Sequence, residues 1–247
     1  MTIFSTPEQL QEIKKILSGY IRLPFSDKTI PGAVMEAVLA KVRNGVVLNT
    51  YDFVDVINAV SHCGWQVKST KEKTPVTWKR AKLPNQDELI KNSHESKEGL
   101  QALGDTIIDF CNAHVRHSIE LYDLREIGYS RLIVHKNWTI TYFEKLLCVS
   151  ERPDIFAKAD FSWKWSIPKK TKKKEQLPAL HGTHKTLKKK WWAWHGLGEN
   201  QLHFSGERAW WPTTSEGQMM TFDSPADNER ILLERFVDFL AKLDNSV

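Results

Sequence analysis

The stretch 53–69, FVDVINAVSHCGWQVKS, decides the fold. Phe53 to Ala59 and Gly64 to Ser69 are short β-type runs parted by Ser61, His62 and Cys63, a spacing that predicts adjacent strands of a hairpin. Upstream, Thr6, Pro7 and Gln9 form a capping box with proline at the first helical position. Leu10, Ile13, Leu17 and Tyr20 then recur at helical spacing, predicting a helix from Pro7 to Gly19. A second helix begins near Pro31, turns Val34, Met35, Val38, Leu39 and Val42 inward, and stops at Gly45. Downstream, Ser96 to about Arg125 reads as a long helix, although Gly99 and Gly104 weaken its start, and Gly128 to His135 and Trp138 to Leu146 read as two strands. Phe161, Trp163, Trp165 and Ile167 alternate as in a half-buried strand. Lys190 to Trp211 reads as antiparallel strands broken at Gly196 to Gly198 and at Ser205 to Gly206. Ser224, Pro225 and Asp227 cap a last helix carrying Leu232, Phe236, Phe239, Leu240 and Leu243 on one face. This order predicts an α/β (α+β) fold, a mixed sheet flanked by helices. A core is expected over 1–150 and a basic β-rich segment over 151–247, packed together as one domain.

Charge and tryptophan concentrate in that second segment. From Lys158 to Trp211 there are twelve basic residues against four acidic ones, and seven of the ten tryptophans lie in the same window. The whole chain of 247 residues carries only +5. A second basic cluster comprises Lys68, Lys71, Lys73, Lys79, Arg80 and Lys82, with Glu72 alone opposing it. Two basic segments interleaved with aromatics point to a polyanion, and nucleic acid is the partner that suits both features. Lys71, Lys73, Lys79, Arg80, Lys82 and the run Lys188, Lys189 and Lys190 are therefore expected on phosphates, while Arg208 is a candidate for reading bases. Trp65, Trp78 and Trp138 are expected in the core; Trp191, Trp192 and Trp194, directly after three lysines, are harder to bury.

Three cysteines, Cys63, Cys111 and Cys148, make neither a disulfide framework nor a zinc site of standard spacing, and are expected as reduced core thiols. The first thirty residues lack an apolar leader core and the chain has no run of membrane-spanning length, so a cytoplasmic protein without a membrane partner is expected. His-Glu-x-x-His, Gly-x-Ser-x-Gly and phosphate-loop signatures are missing, leaving zinc-protease, serine-hydrolase and nucleotide-loop chemistry without a foothold.

The chemistry sits in the hairpin. Side chains alternate along a strand, so Gln66 and Lys68 share a face while Val67 turns into the core. If Asp55 lies alongside, a carboxylate, a carboxamide and an ammonium converge. Asp55 and the main-chain carbonyl of Val67 are oxygen donors of the kind Mg²⁺ takes, and Lys68 can orient water or stabilise charge growing on a phosphate. Asp52, three residues earlier, is the local rival to Asp55.

The pattern Asp55-x10-Gln66-x-Lys68 resembles the PD-(D/E)XK nuclease superfamily, whose type II restriction endonucleases place two acids and a lysine on adjacent strands and cut DNA with Mg²⁺. The resemblance implies a restriction-endonuclease-like fold, with Asp55 as first acid, Gln66 in place of the second, and Lys68 as the lysine. It implies Glu36, on the second helix, as a helix-borne acid of the metal site. Val54 stands where a proline is usual, and Gln66 brings a carbonyl oxygen without a charge. The implied activity is Mg²⁺-dependent, sequence-specific cleavage of double-stranded DNA within a restriction-modification system, by a homodimer on a palindrome or a monomer nicking each strand in turn. A non-enzymatic nucleic-acid-binding protein, and an RNA nuclease or toxin holding unstacked bases on tryptophan, are the alternatives.

Overall fold

The expected hairpin lies inside a six-stranded sheet. The computed structural model describes residues 3–26, 29–137, 139–170, 175–206, 217–225 and 230–244. In chain order the elements are α1 (Pro7–Arg22), α2 (Gly32–Val42), β1 (Val46–Val47), β2 (Val56–Asn58), β3 (Cys63–Lys71), β4 (Val76–Arg80), α3 (Gln86–Glu95), α4 (Lys97–Tyr122), β5 (Glu126–Val134) and β6 (Thr139–Val149). After a 3₁₀ turn come β7 (Phe161–Trp165), β8 (Lys169–Lys170), β9 (Glu175–Gln176), β10 (Leu180–His184), β11 (Lys189–Trp194), β12 (Gln201–Phe204), β13 (Gly217–Asp223) and α5 (Leu233–Asp244). The first sheet runs β1-β2-β3-β5-β6-β13, antiparallel except for the parallel pair β3–β5, and α4 lies between those two strands in the chain. A second sheet runs β4-β12-β11-β10-β7, all antiparallel, and β8 pairs with β9. The fold is thus mixed α+β, as expected, but built on two main sheets.

Those sheets do not divide at residue 150. β4 leaves the first half of the chain for the second sheet, and β13 returns from the last third to close the edge of the first. One apolar cluster joins α1 and α2 to the first sheet through Ile13, Leu17, Met35, Leu39, Trp65 and Val67. The other gathers Leu103, Ile107 and Val115 of α4, Tyr129 and Phe143 of the first sheet, and Trp78, Trp192 and Phe204 of the second. Among the described residues no helix is long and apolar enough to cross a membrane.

Local rules explain most elements. Thr6 and Gln9 form the capping box, and α1 continues one turn beyond Gly19 because Ile21 is buried. Ser96 accepts the Gly99 N–H at 2.9 Å and caps α4. The glycines of α4 mark close approaches: a Cβ on Gly99 would collide with the Asn92 carbonyl, and one on Gly104 with the Trp163 indole. Gly104→Ala is therefore expected to destabilise the fold by about 1–3 kcal/mol despite alanine's better helix propensity. A urea midpoint equal to the parent's would show that the indole yields without cost.

Two expectations are corrected. Trp191, Trp192 and Trp194 are 7%, 0% and 0% exposed, so they belong to the core and offer no stacking surface. Adjacent side chains of a regular strand point to opposite faces; here the register shifts between Gly182 and Thr183, and Trp191 is the extra residue opposite that break. α5 leaves much of its apolar face open: Leu232, Phe239 and Leu240 are 62%, 55% and 44% exposed, and Phe236 is half-buried, edge-on to Phe25 at 5.4 Å. Periodicity reports amphipathicity without saying what covers it. Second, β2 starts at Val56, one residue after Asp55, whose side chain rather than its main chain receives the next N–H of β3, that of Val67. Cys63, Cys111 and Cys148 are buried and unpaired, as expected. Trp138, Lys172 to Lys174, Arg208, Trp210, Trp211 and Asp227 lie outside the described residues.

Candidate functional site

Asp55 is fixed at the end of the β2–β3 ladder. Its N–H donates to Trp65 O at 2.8 Å and its carbonyl accepts the Leu48 N–H at 2.9 Å. Its Oδ2 accepts the Val67 N–H at 2.7 Å and stands 3.5 Å from Lys68 Nζ. The hairpin is anchored by Asn58, whose Nδ2 donates to Arg43 O at 2.8 Å, and the segment before it by Phe53, whose N–H reaches Ser118 Oγ of α4 at 3.1 Å.

Trp65 and Val67 face the helices α1 and α2, so Gln66 and Lys68 face the other way. Lys68 remains partly open, whereas Gln66 is 1% exposed and its Oε1 is buried without a hydrogen-bond partner. Leaving a buried carbonyl oxygen unpaired costs about 1–3 kcal/mol, and this one lies on the strand face that also carries Lys68.

Glu36, on α2, lies within electrostatic range of Asp55 and Lys68. Its carboxyl is held above the ordinary carboxylate range, first by burial and then by the Asp55 charge, with Lys68 opposing. Lys68 pairs with Asp55 and only opposes the shift at Glu36, so two carboxylates lie in the field of one lysine, a balance that a divalent cation would improve. The side-chain donors are hard oxygens, those of Asp55, Glu36 and Gln66, with the Val67 carbonyl adjacent in the chain, and this set fits Mg²⁺. Among the described residues no three His, Cys, Asp or Glu side chains gather as a metal group, so such a site would rest on two carboxylates and neutral oxygens.

Asp52 lies in a bend rather than on a strand, and accepts the Tyr122 hydroxyl at 2.5 Å. That bond, with one from Thr50, holds its carboxyl below the ordinary range. Lys79 was expected to lie on phosphates, but it is half-buried and its Nζ donates to Tyr51 O. Burial lowers its pKa, while Asp52 and Asp55 raise it and Lys68 lowers it further, which places Lys79 in the same field as the site. His114 is pushed down to about 4 by burial and by Lys79, and is neutral at ordinary pH. Sequence reading missed Tyr122, Lys79 and His114 as neighbours of this site. The period-two pattern of Val76 and Trp78, both buried, was the signal that Lys79 belongs to a strand.

The remaining expected DNA contacts are surface groups. Lys71, Lys73, Arg80 and Lys82 are exposed along the β3–β4 segment, and Lys188, Lys189 and Lys190 are exposed at the β10–β11 turn. Comparison with protein-family models, with curated proteins and with solved structures finds no match to this chain.

Glu36→Gln tests the shared charge without DNA. A carboxyl whose folded pKa lies above its unfolded value loses stability as pH rises between the two, and the deficit persists above them. In EDTA the variant is therefore expected to be more stable than the parent at pH 8, by the roughly 0.5–2 kcal/mol typical of relieved functional sites, with the gain fading in acid. Melting curves against pH check this, and a variant less stable at pH 8 would place Glu36 outside the field of Asp55.

Proposed function

We propose that the chain is a Mg²⁺-dependent endonuclease that cuts double-stranded DNA in the manner of type II restriction enzymes. The observation that carries this reading is the Asp55–Lys68 pair within the electrostatic field of Glu36, with the unpartnered buried oxygen of Gln66 two residues before Lys68 on the same strand. Asp55 and Glu36 would hold the cation, with Gln66 Oε1 and the Val67 carbonyl as neutral donors. Bound there, Mg²⁺ supplies Lewis-acid polarisation of a phosphoryl oxygen and a lowered pKa for water. Lys68, kept in place by Asp55, donates to the phosphate oxygen on which charge develops and orients the attacking water. Exposed Lys71, Lys73, Arg80 and Lys82, with Lys188 to Lys190, supply phosphate contacts that position the duplex, and Arg208 is assigned to base reading.

Burial of Trp163, Trp191, Trp192 and Trp194 weighs against the RNA reading, which needs open indole faces. Incubation of purified protein with plasmid, with Mg²⁺ and with EDTA, tests the proposal. Discrete linear fragments in Mg²⁺ and intact plasmid in EDTA are expected. Binding without cleavage under every divalent ion would overturn it in favour of a binding protein, and degradation of RNA alone in favour of a ribonuclease.

A further inference from the structure

Beyond Lys68 the same sheet face leads into a cavity of about 610 Å³ between the two main sheets, a volume within the ordinary range of ligand pockets. Arg131 forms part of its wall. It pairs in register with Lys68 across β3–β5, strands that lie about 4.8 Å apart, so the cavity begins one strand from the proposed scissile position. The guanidinium is 1% exposed and is fixed by bonds from Nη1 to Leu132 O at 2.6 Å and from Nη2 to Thr70 Oγ1 at 2.7 Å.

Lys71 and Lys73 stand at the rim with His135. The single acid there, Glu72, accepts the Lys136 N–H at 3.3 Å and lies 3.7 Å from His135 Nδ1, so it is engaged locally and the cavity stays cationic. The floor is apolar, built over Ile133 and Phe204 with Pro75 beside them. Cationic walls over an apolar floor suit one ligand chemistry in particular, a flat base carrying a phosphate.

We infer that this cavity receives one nucleotide of the bound DNA strand, its base swung out of the stack onto the Ile133–Pro75 floor and its phosphate toward Lys71 and Lys73, with the buried charge of Arg131 behind them. The inference rests on the nuclease reading for the source of the nucleotide, whereas its binding test needs no cleavage. Unstacking costs a few kcal/mol, which the cavity must return through contacts with the base and phosphate.

Calorimetric titration in EDTA with dAMP, deoxyadenosine and inorganic phosphate probes the cavity directly. dAMP is expected to bind about tenfold or more tighter than either part alone, because base and phosphate are held together. The double variant Lys71→Ala/Lys73→Ala, which alters only exposed side chains, and Thr74→Trp, which fills the cavity from an exposed turn, should each weaken dAMP about tenfold. Asp55→Asn should leave it unchanged. A short duplex with one bulged adenosine is expected to displace dAMP from the parent.

Equal affinities for dAMP and phosphate, or unaltered dAMP binding in both cavity variants, would overturn the site. Simultaneous binding of dAMP and the bulged duplex would overturn its assignment to the DNA strand. Plasmid cleavage by the parent together with wild-type cleavage by Thr74→Trp would leave the nuclease reading standing and remove this one. Binding of dAMP in a protein that never cuts would do the reverse.

Discussion

Lys68→Ala and Asp55→Asn are each expected to lower DNA cleavage by about 10²–10³-fold, the cost usual for removing one group that stabilises developing charge. Duplex binding in EDTA should be nearly unchanged, because the exposed lysines of the β3–β4 segment and the β10–β11 turn are untouched. The two variants act through different losses. Alanine at 68 removes the ammonium that meets the phosphate and leaves the donors of Asp55 and Glu36 in place, so Mg²⁺ affinity should rise if anything, with one positive charge gone. Asparagine at 55 removes a carboxylate from the cation's position, so Mg²⁺ affinity should fall. It also releases Glu36 from the charge that holds its carboxyl up. An NMR titration of Glu36 in Asp55→Asn should therefore show its midpoint moving toward the ordinary carboxylate value. Full cleavage by either variant would place the chemistry elsewhere, and a Glu36 midpoint unmoved by Asp55→Asn would separate the two carboxylates.

What the sequence makes legible is what is local. The hairpin from Asp55 to Lys68 is contiguous, so strand alternation alone puts Gln66 and Lys68 on one face, and Val67 is buried on the other. The cap at Thr6 depends on residues three apart and is equally readable. What stays hidden depends on partners distant in the chain. β4 carries Val76 and Trp78 inward, at 0% and 2% exposure, yet its neighbours Lys79, Arg80 and Lys82 make it read as a basic surface cluster. Its partner is β12, more than a hundred residues later, and only that pairing turns Lys79 toward Asp55. The tryptophans after Lys190 mislead for a related reason: a run of charge beside a run of indole looks like a stacking face until a register break in the neighbouring strand lets adjacent indoles share the interior. α5 carries a strong helical period, yet Leu232, Phe239 and Leu240 stay exposed, since a period reports amphipathicity and not what covers it.

Gln66→Glu is expected to make stability depend on divalent ions. The substitution is nearly isosteric, but it places a carboxyl at a position 1% exposed, on the strand face of Lys68 and near the end of the ladder that holds Asp55, where the parent holds an unpartnered oxygen. An uncompensated buried charge costs about 3–5 kcal/mol, and the group responds by keeping its proton to a higher pH. Its folded pKa therefore lies above its unfolded one. Stability is retained in acid, falls as pH rises between the two values, and stays low above them. In EDTA at pH 8 the variant should be less stable than the parent by several kcal/mol, with the gap narrowing toward pH 5. Mg²⁺ should close much of it, since an ion at a hundred times its dissociation constant adds about 2.7 kcal/mol to whichever state binds it. The parent, with a neutral oxygen there, should gain less from the same ion. Gln66→Met, which keeps volume and loses the oxygen, is the matching control: it should be at least as stable as the parent in EDTA, because it removes the orphan, and should cleave poorly because a donor is gone. A Glu variant whose melting temperature in EDTA equals the parent's and does not respond to Mg²⁺, alongside a Met variant that cuts normally, would show that the Gln66 oxygen faces no cation and that the acid position of the motif is empty in function as well as in charge.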